Sequence, residues 1–193
     1  MSNALARLGR EIRACRICEA ALPLGPNPVF RVSPTAQILI AGQAPGIRVH
    51  RSSTPFDDPS GDRLREWMGI DRDTFYDESR IAIVPMGFCY PGSAERGDLP
   101  PRPECAEHWH DKLLSHLPAI RLRLVIGTYA QRYYLGKARQ KSLTETVRHW
   151  RDYQPEVIPL PHPSPRNNIW LKRNPWFGTD LLPELSKRVA SLV

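Results

Sequence analysis

One stretch, residues 36–46, constrains the fold of this chain more than any other. Residues 38–40 form a short apolar run rich in β-branched side chains, and the turn Gly-Gln-Ala-Pro-Gly follows at residues 42–46. This pattern predicts a buried parallel strand that ends abruptly. Because ligands bind beyond the carboxyl ends of such strands in open α/β sheets, the turn is a candidate active-site loop. The alternative is an ordinary connection between a strand and a helix.

The rest of the chain alternates between strand-like and helix-like segments. Further apolar runs, each followed by glycine or proline, predict strands at residues 80–84, 122–126 and 157–160. Helical spacing of apolar residues occurs at residues 3–14, 61–68, 104–116, 129–135, 141–150 and 175–191. We expect Asp58 or Ser60 to cap the second of these helices and Gly127-Thr128 to cap the fourth. This alternation predicts an α/β fold in three layers, with a central four-stranded parallel sheet and helices on both faces.

Length, charge and hydropathy narrow the class of protein. The 193 residues, 41% of them hydrophobic, suffice for one domain, which we place at residues 1–193. A formal net charge of +7 favours a polyanionic partner, because Lys and Arg release counterions from phosphate backbones. No run of about 18 apolar residues is present, and residues 1–13 are amphipathic rather than signal-like. We therefore expect a cytoplasmic protein with no membrane partner.

Four cysteines have a spacing typical of a ligand set. Two residues separate Cys15 from Cys18, and fifteen separate Cys89 from Cys105. In a reducing compartment such cysteines are ligands or incidental thiols rather than disulfides. Four thiolates suit either Zn²⁺ or an iron-sulfur cluster. Because zinc ribbons space their second pair tightly, the open second pair favours a structural [4Fe-4S] cluster over zinc, with no metal as a further alternative.

Several motifs in register resemble the uracil-DNA glycosylase superfamily, and most closely its iron-sulfur, family-four branch. That branch has a two-spaced cysteine pair, a G-E-A-P-G turn, a P-F segment, a second cysteine pair around a Pro-rich loop, a G-A-T-A helix start and an H-P-S/A turn. The matching segments here are Cys15 and Cys18, residues 42–46, Pro55-Phe56, Cys89 and Cys105, residues 127–130 and residues 162–165.

The resemblance implies a monofunctional, monomeric DNA repair glycosylase with a uracil-DNA glycosylase-like fold. Such an enzyme flips uracil or a related deaminated base out of single- or double-stranded DNA and hydrolyses its bond to the sugar. Phe56 then matches the aromatic that stacks on the base, and His162 matches the donor to the base O2. Further residues implied are Gly42, Ala44 and Phe88 around the base, and Ser164, Arg166, Asn167 and Lys172, with Arg173, facing DNA.

Two departures from the branch concern the water that attacks the sugar. Ala44 can neither orient nor activate water, and the acidic residue before it in the branch is Gln43 here. Gln43 can position water but is a poor base, and His50 is the titratable group that remains after the turn. New carboxylates follow Phe56, so we hypothesise that Asp57 or Asp58 supplies the missing acid. For Asp58 the alternative is a helix cap.

A third departure concerns the base itself. Pro85 occupies the position of an asparagine whose amide reads the pyrimidine edge in the branch, and proline has neither a side-chain amide nor an N–H. Uracil remains the expected base, read by backbone groups around residues 86–88, and a different modified base is the alternative. A catalytically weak base-binding protein and a hydrolase or transferase for small nucleosides are the competing functions.

Overall fold

The computed structural model describes residues 3–95 and 97–193, and a parallel sheet lies at its centre. The strands are β1 (Ile38–Ala41), β2 (Ile81–Ile83), β3 (Ser93–Ala94), β4 (Gly97–Asp98), β5 (Leu122–Ile126) and β6 (Val157–Leu160). The central sheet has four parallel strands in the order β2-β1-β5-β6, which confirms the predicted architecture. The short strands β3 and β4 pair separately as an antiparallel hairpin.

Helices cover both faces of the sheet. They are α1 (Asn3–Arg13), α2 (Ile47–Ser52), α3 (Pro59–Met68), α4 (Arg72–Tyr76), α5 (Pro103–Cys105), α6 (Asp111–Leu114), α7 (Gly127–Leu135), α8 (Leu143–Arg148), α9 (Asn168–Arg173) and α10 (Leu182–Ala190). Turns of 3₁₀ helix occur at Glu19–Ala21, Gly136–Ala138, Trp150–Tyr153 and Pro165–Asn167, and π-helical turns at Ala106–His110 and Phe177–Leu181.

Strand β1 separates two apolar layers, because its side chains alternate between the faces of the sheet. Ile38 and Ile40 belong to a core that includes Leu64 of α3, whereas Leu39 belongs to a second core that includes Leu5 of α1. All three β1 residues are inaccessible to solvent, and each such burial contributes about 1.5–3 kcal/mol. The packing therefore fixes β1, and with it the position of the turn that follows.

Several segments differ from the sequence prediction. The predicted helices at residues 104–116 and 175–191 each contain a π-helical turn, and the helix predicted at 129–135 begins at Gly127 without a side-chain cap. Helices α2, α4 and α9 and the β3-β4 hairpin were not predicted. Each of these segments is short and buries at most one side chain, so it carries no apolar periodicity. No helix within residues 3–95 and 97–193 combines the length and the apolar character needed to cross a bilayer.

Candidate active site

A cleft opens at the carboxyl ends of the parallel strands. Its walls come from the turn after β1, the loop before α3, the end of β2 and the loop after β6. The residues that matter below are Gly42, Pro45, Phe56, Asp58, Pro85 and His162. The sheet thus brings residues from distant parts of the sequence to one edge, where ligands bind in open α/β folds.

Phe56 is half-buried in this cleft and holds an unusual backbone conformation. Its φ of 56° lies in the left-handed region, which a bulky residue adopts only when its surroundings impose it. A Cβ on Gly61 would lie 1.8 Å from the Phe56 carbonyl oxygen, so the close approach of α3 requires glycine at that position. The ring also lies 3.5 Å from the position that a Cβ on Gly42 would occupy. Glycine at position 61 is therefore required by the close approach to the Phe56 backbone, whereas the contact at Gly42 is an ordinary van der Waals distance.

Helix α4 holds the segment around Phe56 from outside the cleft. The Tyr76 hydroxyl donates a hydrogen bond of 2.9 Å to the Pro55 carbonyl, and Phe75 packs edge-to-face against Phe56 with ring centroids 6.0 Å apart. Arg72 forms an ion pair of 3.0 Å with Asp57, and this hydrogen bond holds the pKa of Asp57 below its usual range. Asp57 is thus bound to α4, and it does not line the cleft.

Asp58, by contrast, lines the cleft and caps a helix. Its Oδ1 accepts a hydrogen bond of 2.9 Å from the backbone N–H of Gly61, in the N-cap position of α3. Of the two candidate caps, the structure therefore uses Asp58, because Ser60 lies inside the first turn of α3. Of the two carboxylates that follow Phe56, the structure brings Asp58 to the site.

His162 follows β6 and presents its ring to the same cleft. The backbone N–H of Ser164 donates a hydrogen bond of 3.2 Å to Nδ1, and the side chain of Asn167 donates one of 2.7 Å to the His162 carbonyl. Because Nδ1 accepts, the proton of the neutral ring is on Nε2. Burial lowers the pKa of His162, and the charges of Asp58 and Asp98 act against this shift. The imidazole is therefore a neutral donor at neutral pH.

The remaining residues predicted around the base are placed differently from one another. Gly42 lines the cleft, and the Gln43 side chain donates a hydrogen bond of 3.0 Å to the Leu99 carbonyl. Ala44 is half-buried and lies outside the lining. Phe88 is 2% exposed and packs in the core beneath α1. Its backbone carbonyl accepts a hydrogen bond from the N–H of Val29, and its ring stacks on His110 with ring centroids 5.4 Å apart.

Comparison with known proteins assigns the chain to a family. The sequence model of the uracil DNA glycosylase superfamily matches residues 30–186. The chain belongs to the uracil DNA glycosylase superfamily. A solution NMR structure of a candidate uracil DNA glycosylase from Methanosarcina acetivorans is similar to it with a TM-score of 0.49 and 17% identity, over 83% of this chain and 98% of that chain. Superfamily membership indicates a glycosylase-type function with DNA as the substrate.

The loop that follows His162 forms an outer rim of the cleft. Ser164 caps the 3₁₀ turn by accepting a hydrogen bond from the N–H of Arg166 at 3.2 Å, and Arg166 itself is exposed. Arg63 of α3 donates a hydrogen bond of 3.1 Å to the Ser164 carbonyl, a contact that sequence reasoning missed because 101 residues separate the two. Lys172 is exposed at the end of α9. The rim thus carries several cationic side chains.

A second missed feature is the β3-β4 hairpin beside the cleft. Asp98 Oδ2 lies 3.3 Å from the position that a Cβ on Gly46 would occupy. No pattern of apolar residues marks this hairpin. The sequence signal that could have indicated it is Gly97, because its φ of 131° favours glycine near the hairpin turn. The hairpin therefore adds a carboxylate that sequence reasoning did not consider.

The four cysteines line a separate small cavity. Burial raises the pKa of the Cys89 thiol to about 11 and that of Cys105 to about 12, and the nearby thiols of Cys15 and Cys18 raise both further. The indole N–H of Trp109 lies 3.4 Å from Cys15 Sγ. Within residues 3–95 and 97–193, no three His, Cys, Asp or Glu side chains are arranged to hold a metal ion. Cys15 and Cys18 precede the segment that matches the superfamily.

Proposed function

We propose that this protein flips uracil, or a related deaminated base, out of DNA and hydrolyses its N-glycosidic bond to leave an abasic site. The observation that carries the proposal is the pairing, in one cleft, of a half-buried aromatic ring with a neutral imidazole. Phe56 offers a face on which a base can stack, and His162 offers an N–H donor. A base that has left the DNA stack needs both an aromatic surface and a polar contact to fix its orientation.

His162 acts on the leaving base. As the bond between the base and the sugar breaks, its electron pair passes to the base, and negative charge develops on the pyrimidine oxygens. The Nε2–H of His162 donates to the base O2, where that charge appears, and removing one such donor costs about 3 kcal/mol of transition-state stabilisation. The hydrogen bond from Ser164 keeps the ring in the tautomer that can donate. No proton needs to leave His162 in this step.

Two groups are proposed to assist the attack of water on the sugar, Gln43 by positioning the water and Asp58 by acting on the sugar. The Gln43 amide donates to Leu99, and no group in the described part of the chain donates a hydrogen bond to its side-chain oxygen, so that this oxygen can accept one from water. Asp58 lines the cleft and its second carboxylate oxygen can act on the sugar side, whereas Asp57 is paired with Arg72. Of the two hypothesised carboxylates we therefore favour Asp58, and Ala44 forms part of the turn without a chemical role.

Pro85 forms an apolar part of the cleft wall, which affects how well the cleft can distinguish one base from another. Pro85 offers neither an amide side chain nor an N–H, and its neighbours in the cleft include Val29 and Ile83. A site that lacks hydrogen-bonding partners discriminates weakly between bases that differ at that edge. A glycosylase for a different modified base is therefore the second candidate, favoured by this apolar wall. Phe88 lies in the core, so any base reading near it comes from the backbone.

DNA is proposed to lie along the rim formed by the loop after β6. Ser164, Arg166 and Asn167 follow His162 directly, and Lys172 with Arg173 ends α9. Phosphate contacts of this type position a duplex or a single strand without reading its sequence. The protein's net charge of +7 is consistent with such contacts.

We further propose that Cys15, Cys18, Cys89 and Cys105 hold a [4Fe-4S] cluster. The four thiols line one cavity, although within residues 3–95 and 97–193 no three of them are arranged to hold a metal ion. An indole N–H faces one of them, as expected for sulfur ligands that accept hydrogen bonds. The cluster would join α1 to the loop after β2 and serve structure rather than chemistry. Visible absorbance with matching iron and sulfide content, lost in Cys18→Ser, supports it, whereas a colourless protein with stoichiometric zinc overturns it.

An excision assay tests the function. Single- and double-stranded oligonucleotides that contain uracil, hypoxanthine or xanthine are incubated with the protein and then heated in alkali to cleave abasic sites. We expect cleavage at uracil in the wild type. Cleavage at a different base with none at uracil would favour the second candidate, and binding without cleavage of any base would indicate a base-binding protein.

A further inference from the structure

Residues 97–99, which comprise β4 and the residue after it, contact the two loops that form the proposed site. Gly97 approaches the loop after β6, because a Cβ on it would lie 3.2 Å from Arg166 Nη1. Leu99 accepts the hydrogen bond of 3.0 Å from Gln43 in the turn after β1. Between them, Asp98 faces Gly46 of that same turn. The hairpin thus lies across the gap between the β1 turn and the His162 loop.

The carboxylate of Asp98 is oriented by neighbours within its own hairpin region. Its Oδ1 accepts a hydrogen bond of 3.1 Å from the Ser93 hydroxyl, and that hydroxyl is 2.7 Å from the hydroxyl of Tyr90. Oδ2 is left pointing toward Gly46, where the absence of a side chain leaves room beside it. Because Asp98 is exposed, water can reach this oxygen. The carboxylate is therefore oriented and accessible to water.

Asp98 lies beside the cleft rather than within it. It does not line the cleft that contains Phe56, yet it lies next to Gly46, directly after Pro45 of the lining. A base stacked in the cleft remains joined through C1′ to a sugar and phosphates that stay outside. A carboxylate beside the lining is therefore placed to approach C1′ of a nucleotide whose base occupies the cleft. The charge of Asp98 also acts on His162, which is consistent with this placement.

The other candidate carboxylates are more constrained. Asp57 is paired with Arg72 and lies outside the cleft. Asp58 lines the cleft but uses one oxygen to cap α3 through Gly61. Asp98 has an oxygen that is free of hydrogen bonds from the backbone or from other side chains within the part of the chain that the structure describes. It is thus better placed to accept a proton from water.

We propose that Asp98 is a catalytic residue of the glycosylase reaction, acting as general base at the mouth of the cleft; this rests on the function proposed above. Oδ2 of Asp98 takes a proton from water as the water oxygen bonds to C1′. The C1′–N bond breaks, and its electron pair leaves with the base, whose anion accepts the hydrogen bond from His162. Solvent then removes the proton from Asp98 and protonates the base, so that the reaction consumes one water.

The test compares Asp98→Asn with Glu95→Gln, which removes the same charge from an exposed position at the turn of the same hairpin. We expect Asp98→Asn to lower the single-turnover excision rate by about 10²–10⁴-fold. Its affinity for the uracil-containing oligonucleotide, measured by fluorescence anisotropy, should stay within about threefold of wild type, because Asp98 is not a phosphate ligand. Glu95→Gln should match the wild type in both measurements.

Further variants separate this proposal from its alternatives. Ser93→Ala removes the hydrogen bond to Oδ1 and should slow excision by about three- to tenfold. This variant keeps Asp98 itself, so it tests the role of the carboxylate even if Asp98→Asn does not fold. Asp98→Ala should be accelerated by added formate, which supplies a carboxylate. Excision by Asp98→Asn at the wild-type rate, or a larger loss in Asp58→Asn than in Asp98→Asn, would overturn the role of Asp98 and leave the proposed function standing. A wild type that excises no base would overturn both.

Discussion

The backbone N–H of Ser164 donates a hydrogen bond of 3.2 Å to Nδ1 of His162, and this contact decides what the imidazole can do. A ring nitrogen that accepts from an N–H carries no proton, so the proton of the neutral ring is on Nε2. Protonation of the ring would place two hydrogens between Ser164 and Nδ1. The loop geometry thus favours a neutral ring that donates into the cleft.

The first prediction follows from this contact. Burial lowers the pKa of His162 from its ordinary value of 6.5, so the ring stays neutral throughout the neutral range. Nitrogen chemical shifts of ¹⁵N-labelled His162 should show protonated Nε2 and unprotonated Nδ1 at pH 7. A protonated Nδ1 at this pH would contradict the role of His162 as a neutral donor, and spectra of a His162→Gln variant assign the signals.

Replacing Phe56 should remove the stacking surface. Because a base on an aromatic face gains about 1–3 kcal/mol, Phe56→Ala should lower kcat/KM for excision by about ten- to one-hundredfold. Phe56→Trp keeps an aromatic face and serves as the control, with a smaller loss. Equal losses in the two variants would mean that packing against Phe75 and Gly42, rather than stacking, explains the effect.

Substitutions of Asp57 and Asp58 distinguish the effect of each carboxylate charge on excision from the effect of the helix cap on stability. Asp57→Asn should leave the excision rate within about twofold of wild type, because Asp57 lies outside the cleft and an exposed pair with Arg72 contributes little. Asp58→Asn keeps a good N-cap, so the free energy of unfolding should be nearly unchanged, whereas Asp58→Ala should lose about 1 kcal/mol. Chemical denaturation and single-turnover excision measure the two effects. A strong loss of excision in Asp57→Asn would place that carboxylate in the chemistry.

His110 should make stability depend on pH. The ring is inaccessible to solvent, its Nε2 donates to the Pro85 carbonyl at 3.1 Å, and burial lowers its pKa to about 4 from 6.5. Between these two values the unfolded chain binds a proton that the folded chain does not. The free energy of unfolding should therefore fall by up to about 3 kcal/mol as the pH falls from 6.5 to 4, and remain unaffected by His110 above that window.

The matched variant for this effect is His110→Gln, which keeps a side-chain donor for Pro85 and does not titrate. Its unfolding free energy should change less than that of the wild type across the same pH window, measured by urea denaturation at each pH. Parallel pH curves for the two proteins would show that His110 does not titrate in this range.

The strands were predictable because their information is local. Residues 38–40, 124–126 and 157–160 are short apolar runs with glycine or proline close behind them, a pattern typical of strands buried on both faces of a parallel sheet. The sheet in turn places the β1 turn and His162 at one edge. The identity of the main site loops could therefore be inferred before the fold was known.

The parts that escaped prediction depend on contacts between distant, short segments. The hairpin that carries Asp98 has two-residue strands, and its orientation depends on contacts with Gly46 and Arg166 that no local pattern encodes. The pairing of Asp57 with Arg72 likewise needs α4, a five-residue helix that buries one side chain. Sequence reasoning could name the carboxylates after Phe56 but could not tell which one faces the cleft.

The most direct test of the account is the rate at which the protein excises uracil from a single-stranded oligonucleotide, measured in a single turnover for the wild type and for His162→Ala. The account predicts an alkali-labile break at the uracil position with the wild type. It also predicts a rate lower by about 10²–10³-fold with His162→Ala, because the variant loses the donor to the departing base. Equal rates in the two proteins, or no break at uracil with the wild type, would contradict it.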